Sequence, residues 1–161
     1  MRGVFNGGVG EILGLHHVKV PVTDLARSRA WYERVFDFEP VMEFPDEDGV
    51  VRGVVYQPKN AFALALRENP AAARCMAGFD PFAILLQGEP DVQAWADRLD
   101  FLDIQHSPVI EATVGWILSF QDPDGLELRF YTAAAHGADV SGRPGYGRPH
   151  QTTPAQEGWS R

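Results

Sequence analysis

The feature of this sequence that most constrains its fold is an internal repeat. Residues 14–66 recur, without a gap, 64 positions later in the chain. The paired positions carry the same or similar residue types, and the clearest pairs are Gly14 with Gly78, Ala30-Trp31 with Ala94-Trp95, Glu33-Arg34 with Asp97-Arg98, Gln57 with Gln121, and Leu64 and Leu66 with Leu128 and Phe130. A period this long with only two copies does not fit a solenoid. It predicts a duplicated unit whose two halves pair about a pseudo-two-fold axis.

The first copy opens with a strand pattern, "LHHVKVPV" at residues 15–22. Strict alternation places Val18 and Val20 on one face and His17 and Lys19 on the other. By the same rule, His16 points away from His17 and is interpreted as a structural histidine.

A helix and three further strands follow in the same copy. "TDLARSRAWYERVF" predicts a helix with Thr23 or Asp24 as its N-cap. The expected apolar stripe of this helix consists of Leu25, Ala30, Trp31 and Val35, and the three strands are expected at 39–45, 50–58 and 61–68. The repeated unit is therefore βαβββ, the fold class is α+β, and the matched tryptophans Trp31 and Trp95 are predicted to be core residues.

The repeat also defines the organisation of the chain. We expect an N-terminal extension at 1–11, one domain at 12–132 with modules at about 12–67 and 74–132, and a Gly/Pro-rich C-terminal tail at 133–161. The tail contains few large aliphatic residues, which is typical of a weakly ordered segment. Tyr146 and Trp159 are candidates to anchor it on a neighbouring chain.

Composition narrows the class of protein. No run of about 18 apolar residues is present, so no membrane span is expected, and the N-terminus is too short and too rich in glycine for a secretory signal. The net charge of -8 and the lack of basic clusters argue against a nucleic-acid partner. Cys75 is the single cysteine, so no internal disulfide forms. Together these features predict a soluble cytoplasmic protein.

A second informative stretch is "QDPDGLELRFYT" at residues 121–132. The Asp-Pro-Asp-Gly turn signal is followed by a strand in which Leu128 and Phe130 share one face. Glu127 and Arg129 share the opposite face, away from the core, and an acid and a base therefore stand together beside a hydrophobic layer.

The duplicated unit, the opening "LHHVKVPVTDLARSRAWYERVFDFEPV" and the late "DPDGLELRFY" together resemble the vicinal oxygen chelate (VOC) superfamily. This group includes glyoxalase I, extradiol dioxygenases, fosfomycin-resistance enzymes and bleomycin-resistance proteins. The resemblance covers about residues 12–132 and implies a glyoxalase-like fold, in which the two modules form an open eight-stranded cup. It also implies that metal-dependent members hold one divalent ion between the first and last strands of the two modules.

Carried over one position at a time, the ligand pattern of the family is largely missing. The first-strand position of the first module matches His17, and its counterpart in the second module is Pro81. The last-strand position of the second module is Arg129, and its counterpart is Ala65. Proline and alanine offer no side-chain donor, and a guanidinium repels a cation.

The resulting functional hypothesis is a protein that binds a small organic molecule in a polar, metal-free cup lined by His17, Lys19, Glu127, Arg129 and Trp116. Lys19 and Arg129 either bind an anionic group of the ligand or neutralise Glu127. The alternative is a metal-dependent lyase, isomerase or dioxygenase of the glyoxalase type, with zinc, nickel, manganese or iron held by His17 and Glu127. Catalytic residues are not assigned, and exposed sheet edges predict a homodimer.

Overall fold

A computed structural model describes residues 13–59, 61–140 and 142–147, and within these ranges the chain forms eight strands and three helices. In chain order they are β1 (His17–Val22), α1 (Leu25–Phe36), β2 (Pro40–Pro45), β3 (Val51–Tyr56), β4 (Ala63–Glu68), α2 (Pro70–Met76), β5 (Ala83–Leu86), α3 (Glu89–Phe101), β6 (Ile110–Glu111), β7 (Trp116–Gln121) and β8 (Glu127–Thr132). The predicted extension at 1–11 and the predicted anchor Trp159 lie outside the described residues. Among the described helices, none is long and apolar enough to cross a membrane.

Each copy of the repeat forms its own four-stranded mixed sheet. The strand orders are β1-β4-β3-β2 and β5-β8-β7-β6. The register follows the sequence offset, because Val20 lies opposite Leu66 in the first sheet and Ile84 lies opposite Phe130 in the second. The duplicated α+β fold predicted from the sequence is confirmed.

Helix α1 begins at a side-chain cap. The carboxylate of Asp24 accepts a hydrogen bond from the backbone amide of Arg27 at 2.9 Å, so Asp24 rather than Thr23 is the N-cap. The buried side of the helix is formed by Leu25, Ser28, Tyr32 and Val35, with Ala30 exposed and Trp31 half-buried. The predicted stripe was therefore wrong at Ala30 and missed Tyr32. The buried hydroxyl of Tyr32 is satisfied because it donates a hydrogen bond to Asp122 at 3.1 Å.

The two modules share one aromatic core. The ring of Phe36 in α1 lies 5.5 Å from Trp95, 6.2 Å from Phe120 and 6.3 Å from Phe130, measured between ring centroids. Trp31 and Trp95 are both half-buried and pack against this core at equivalent helical positions. Since Phe36 belongs to the first module and its neighbours to the second, burial of this cluster ties the two modules together.

The Asp-Pro-Asp-Gly turn provides a second, polar link between the modules. Asp124 accepts hydrogen bonds from the backbone amide of Thr23 at 2.8 Å and from its hydroxyl, and forms an ion pair with Arg27. The turn between β7 and β8 thus holds the start of α1.

The second module departs from the first at the strand that should match β2. By the offset this strand would span 104–109, but β6 contains only two residues and begins later. The displaced segment still runs beside β7, since the amide of Ser107 donates to the carbonyl of Ser119 at 2.8 Å. Pro108 has no amide to continue the ladder, which accounts for the interruption. Helix α2, between the modules, was not predicted.

The first part of the predicted tail packs on its own chain. Nε2 of His136 donates to the carbonyl of Ala112 at 2.8 Å, and the hydroxyl of Tyr146 donates to the carbonyl of Glu111 at 2.7 Å. Val140 is 5% exposed. The described residues after β8 therefore extend the second module along β6.

Candidate functional site

The face of the first sheet opposite its buried core residues forms a cavity of about 590 Å³, which we call the first-sheet cavity. Its floor consists of two rows of side chains that cross the four strands. One row is Lys19, Ala65, Val55 and Met42, and the next is Arg67, Gly53 and Phe44. At the centre of the floor Ala65, Val55 and Gly53 are small, and they leave the space that the longer side chains around them enclose.

The two sides of this cavity differ in chemistry. On the β1 side lie the imidazoles of His16 and His17 and the ammonium group of Lys19. On the β2 side, Met42 and Phe44 are 56% and 41% exposed, although both are apolar. The described lining contains no Asp or Glu. The cavity is thus largely apolar with a positive side, which suits an amphipathic organic ligand better than a cation.

The two histidines form a pair at the rim. Their Nδ1 atoms lie 3.0 Å apart, and the rings are nearly perpendicular, at 84°. One Nδ1 must donate a hydrogen bond and the other must accept it, so the contact sets the hydrogen-bonding role of Nδ1 in each ring. The expectation that His16 points away was wrong, because His16 precedes the first residue of β1 and the alternation of a strand does not extend to it.

On the second sheet, Glu127 and Arg129 stand on the face expected from alternation, since they are half-exposed while Leu128 and Phe130 are buried. Nη2 of Arg129 lies 2.6 Å from Oε1 of Glu127, and Nη1 lies 2.6 Å from Oδ2 of Asp80. Nε of Arg129 is buried without a hydrogen-bond partner among the described residues. The guanidinium is therefore held between two carboxylates, and these contacts occupy both of its terminal nitrogens.

The five predicted site residues divide between the two sheets of the chain. His17 and Lys19 line the first-sheet cavity, whereas Glu127, Arg129 and Trp116 are absent from its described lining. Trp116 stands at the start of β7, half-buried against the core, and its ring meets the imidazole of His136 edge-on at 5.6 Å. Within one chain, the structure does not bring all five residues to one cavity.

The residues at the family's metal positions do not fit a divalent ion. His17 and Ala65 fall on the first sheet and Arg129 on the second, with Pro81 just before β5. One imidazole is the sole side chain of a metal-binding type at these four positions. Among the described residues, no group of three or more His, Cys, Asp or Glu side chains is arranged to hold a metal.

The fold and this site agree with a family assignment. Residues 14–130 match the model of the Glyoxalase/Bleomycin resistance protein/Dioxygenase superfamily, and the chain belongs to that superfamily. Among curated proteins, none matches the chain at a significant level.

Solved structures of this superfamily share the fold at low sequence identity. Lactoylglutathione lyase from Agrobacterium tumefaciens superposes with a TM-score of 0.61 at 18% identity, over 76% of this chain and 96% of that chain. TnmS3, an antibiotic binding protein from Streptomyces sp. CB03234, superposes with a TM-score of 0.59 at 23% identity, over 77% of this chain and 98% of that chain. The third structure is a point mutant of the fosfomycin resistance protein FosX from Listeria monocytogenes, solved in complex with Mn(II). It superposes with a TM-score of 0.58 at 19% identity, over 75% of this chain and 93% of that chain.

Sequence reasoning missed two charged residues beside the predicted ones. Arg67 lies two residues after Ala65 on β4, so the alternation that placed His17 and Lys19 on the cup face also places Arg67 there. Asp80 lies in the loop before β5, where no periodic pattern exists, and its contact with Arg129 depends on tertiary structure alone.

Proposed function

We propose that this chain binds a small organic molecule in a cup that contains no metal, and that the first-sheet cavity is the main part of this cup. The observation that carries the proposal is the composition of the cavity: an apolar side faces a cationic side, and no carboxylate is present in the described lining. A volume of about 590 Å³ lies within the range of small-molecule sites. TnmS3 is an antibiotic binding protein, which is in keeping with this role, although the shared fold alone does not transfer a ligand.

The metal-free part of the proposal rests on chemistry at Arg129. A divalent cation at that position would face the positive charge of a guanidinium, which repels it. The two carboxylates beside it, Glu127 and Asp80, are both engaged by the same guanidinium at 2.6 Å. A metal that used these carboxylates would therefore have to displace two existing ion pairs beside a retained positive charge.

The proposal also includes a homodimer. Within the described part of the chain, the first-sheet cavity is lined by residues at positions 16–67, so the second sheet of the same chain does not close it. In a dimer, the second sheet of a partner is available to complete an eight-stranded cup. That arrangement would bring the partner's copy of the Glu127–Arg129 face towards the cavity, as the site predicted from the sequence requires.

A thermal-shift screen tests the proposed function. A thermal-shift screen of the intact protein against a panel of small organic compounds should give ligands that raise the melting temperature, because a ligand that binds only the folded state stabilises it. His17→Gln and Lys19→Gln should reduce these shifts, whereas the control Arg74→Gln, on exposed α2, should not. A panel in which every shift survives in both cavity variants would contradict the assignment of the cup.

The alternative, a metal-dependent lyase, isomerase or dioxygenase of the glyoxalase type, is favoured by His17 alone. FosX, which shares the fold, was solved with Mn(II). Elemental analysis of protein purified without a histidine tag and without chelator separates the two candidates. We expect well below one zinc, nickel, manganese or iron per chain. About one ion per chain, lost in His17→Ala, would replace our proposal with the enzyme.

A further inference from the structure

Two cations in the first-sheet cavity have no partner among the described residues. Lys19 on β1 and Arg67 on β4 are both exposed, and within the described ranges neither side chain forms a hydrogen bond or an ion pair. By contrast, Arg52 on β3 is paired with Asp46 and Glu68. Two like charges beside apolar surface repel each other, and a ligand with a negative group would remove that repulsion.

The strand register brings these two cations to one place. Lys19 lies opposite Ala65, and Arg67 lies opposite Pro21, so the two are diagonal neighbours on adjacent parallel strands. Standard strand spacing puts their Cα atoms about 8 Å apart. Both side chains are long enough to meet over that distance, and the methyl group of Ala65 is too short to separate them.

Gly53 on β3 shapes the position of Arg67. A Cβ added at Gly53 would lie 3.3 Å from both Cδ and Nη1 of Arg67 and 3.2 Å from the backbone oxygen of Leu66, so the arginine side chain passes directly over the glycine. The absence of a side chain at residue 53 thus lets the guanidinium lie along the floor of the cavity, towards Phe44, which is the register partner of Gly53.

We propose that the cavity selects an organic anion, with a carboxylate held between Lys19 and Arg67 and an apolar body packed on Met42, Phe44 and Val55. The inference deepens the small-molecule function proposed above and rests on it. A guanidinium offers two parallel donors to a carboxylate, and the ammonium group adds a third donor from the neighbouring strand. The opposite apolar side then accommodates the remainder of the ligand.

Arg129, the arginine singled out by the sequence, is less suited to this role. Its two terminal nitrogens already contact Asp80 and Glu127 at 2.6 Å. Together these three side chains carry one net negative charge, so this cluster does not attract an anion. The guanidinium of Arg67 is unpaired within the described part of the chain. In our proposal it therefore binds the carboxylate of the ligand in place of Arg129.

The test compares three probes of similar size and different charge: naphthoate, the neutral naphthalenemethanol and the cationic naphthylmethylamine. Isothermal titration calorimetry on the intact protein should show that naphthoate binds at least about tenfold more tightly than the other two. Arg67→Gln and Lys19→Gln should each weaken naphthoate by about tenfold, the range for one charge-assisted hydrogen bond. Both should leave naphthalenemethanol within about twofold, as expected for a neutral probe that lacks that contact.

Arg74→Gln is the matched control, because it removes one exposed cation outside the cavity and should leave all three affinities unchanged. Gly53→Ala is a second variant that keeps every charge and displaces the guanidinium; it should weaken naphthoate more than naphthalenemethanol. Folding of each variant is checked by its thermal melt.

The outcomes of this test are distinct. Equal binding of the three probes, or an Arg67→Gln effect no larger than that of Arg74→Gln, overturns the anion selectivity while leaving small-molecule binding intact. Failure of naphthoate to bind also overturns the inference, and the thermal-shift panel then decides separately whether the proposed function survives. Naphthoate binding that is lost only in Arg129→Gln would move the anion site to the second sheet and overturn the assignment to Arg67.

Discussion

The two aspartates of the Asp122-Pro123-Asp124-Gly125 turn stand in opposite electrostatic environments. Burial raises the pKa of Asp122, and this outweighs the hydrogen bonds that its carboxylate accepts from the amides of Leu126 and Asp124 and from the Tyr32 hydroxyl. Burial also acts to raise the pKa of Asp124, but hydrogen bonds from Thr23 and Arg27 outweigh it, and the pKa is lowered. One turn thus holds one carboxyl group that resists ionisation and one that favours it.

Stability should depend on pH in opposite ways at these two residues. The pKa of Asp124 is lower in the folded state, so its contribution is present above the unfolded value, about 3.8, and is lost as the pH falls through the folded value. Asp124→Asn should therefore cost about 1.5–3 kcal/mol at pH 7, the range for a lost hydrogen bond to a charged group, and progressively less in acid. Urea unfolding at several pH values measures this.

Asp122 gives the matched comparison. Its folded pKa is raised, so its contribution is fully present below the unfolded value of about 3.8 and is lost as the pH rises through the folded value. Relative to the native protein, Asp122→Asn should thus be more destabilising near pH 4 than at pH 7. If both variants lost stability with the same pH trend, the assigned environments would be wrong.

At the scale of elements, the shared aromatic cluster should dominate the coupling between modules. Phe130 of β8 is 1% exposed and packs against Phe120, Trp95 and Phe36. Phe130→Ala should lower the free energy of unfolding by about 3–5 kcal/mol, the range for large-to-small changes in a core. Phe101→Ala is the control, since that ring is 86% exposed at the end of α3, and it should change stability by less than about 0.5 kcal/mol. Chemical denaturation of both variants provides the measurement, and equal losses would show that the cluster is not the core.

The repeat explains which elements were predictable. Strand β4 at Ala63–Glu68 and strand β8 at Glu127–Thr132 differ by 64 at both ends, because alternation and duplication specify the same register twice. The part of the second module that was not predictable is the strand equivalent to β2, where Pro108 interrupts a ladder that the offset alone would continue. Helix α2 was missed because its short Ala-rich segment, "PAAARCM", has no counterpart in the other copy.

The candidate site was less predictable than the fold, for a physical reason. Alternation assigns a residue to a face, and it did so correctly for Lys19 and Arg129. It does not show which charges are already paired: Asp80, from a loop, neutralises Arg129, while Arg67 stays free among the described residues. The sheets that face each other in the assembled cup are determined by contacts between modules or chains, and the periodicity of the sequence does not predict these contacts.

At the scale of the whole molecule, the two sheets have unpaired edges and exposed apolar side chains. β1 and β5 are edge strands, each with a neighbour on one side only within the described residues, and Leu85 on β5 is 70% exposed. Because an open edge with an exposed leucine favours association, we expect a homodimer in which this edge is covered.

Sedimentation at micromolar concentration should give about twice the chain mass of 17.8 kDa. Leu85→Glu should shift the protein towards monomer, since association would then bury a carboxylate without a partner, at a cost of several kcal/mol. Phe101→Glu introduces the same charge at a still more exposed apolar residue, at the end of α3 and not on a strand, and should leave the dimer intact. A monomeric native protein would contradict the dimer, and dissociation by Phe101→Glu but not by Leu85→Glu would place the interface on the helical side.

In the monomeric Leu85→Glu variant, the first-sheet cavity would lack its cover, so ligands found in the thermal-shift screen should bind more weakly to it than to the dimer.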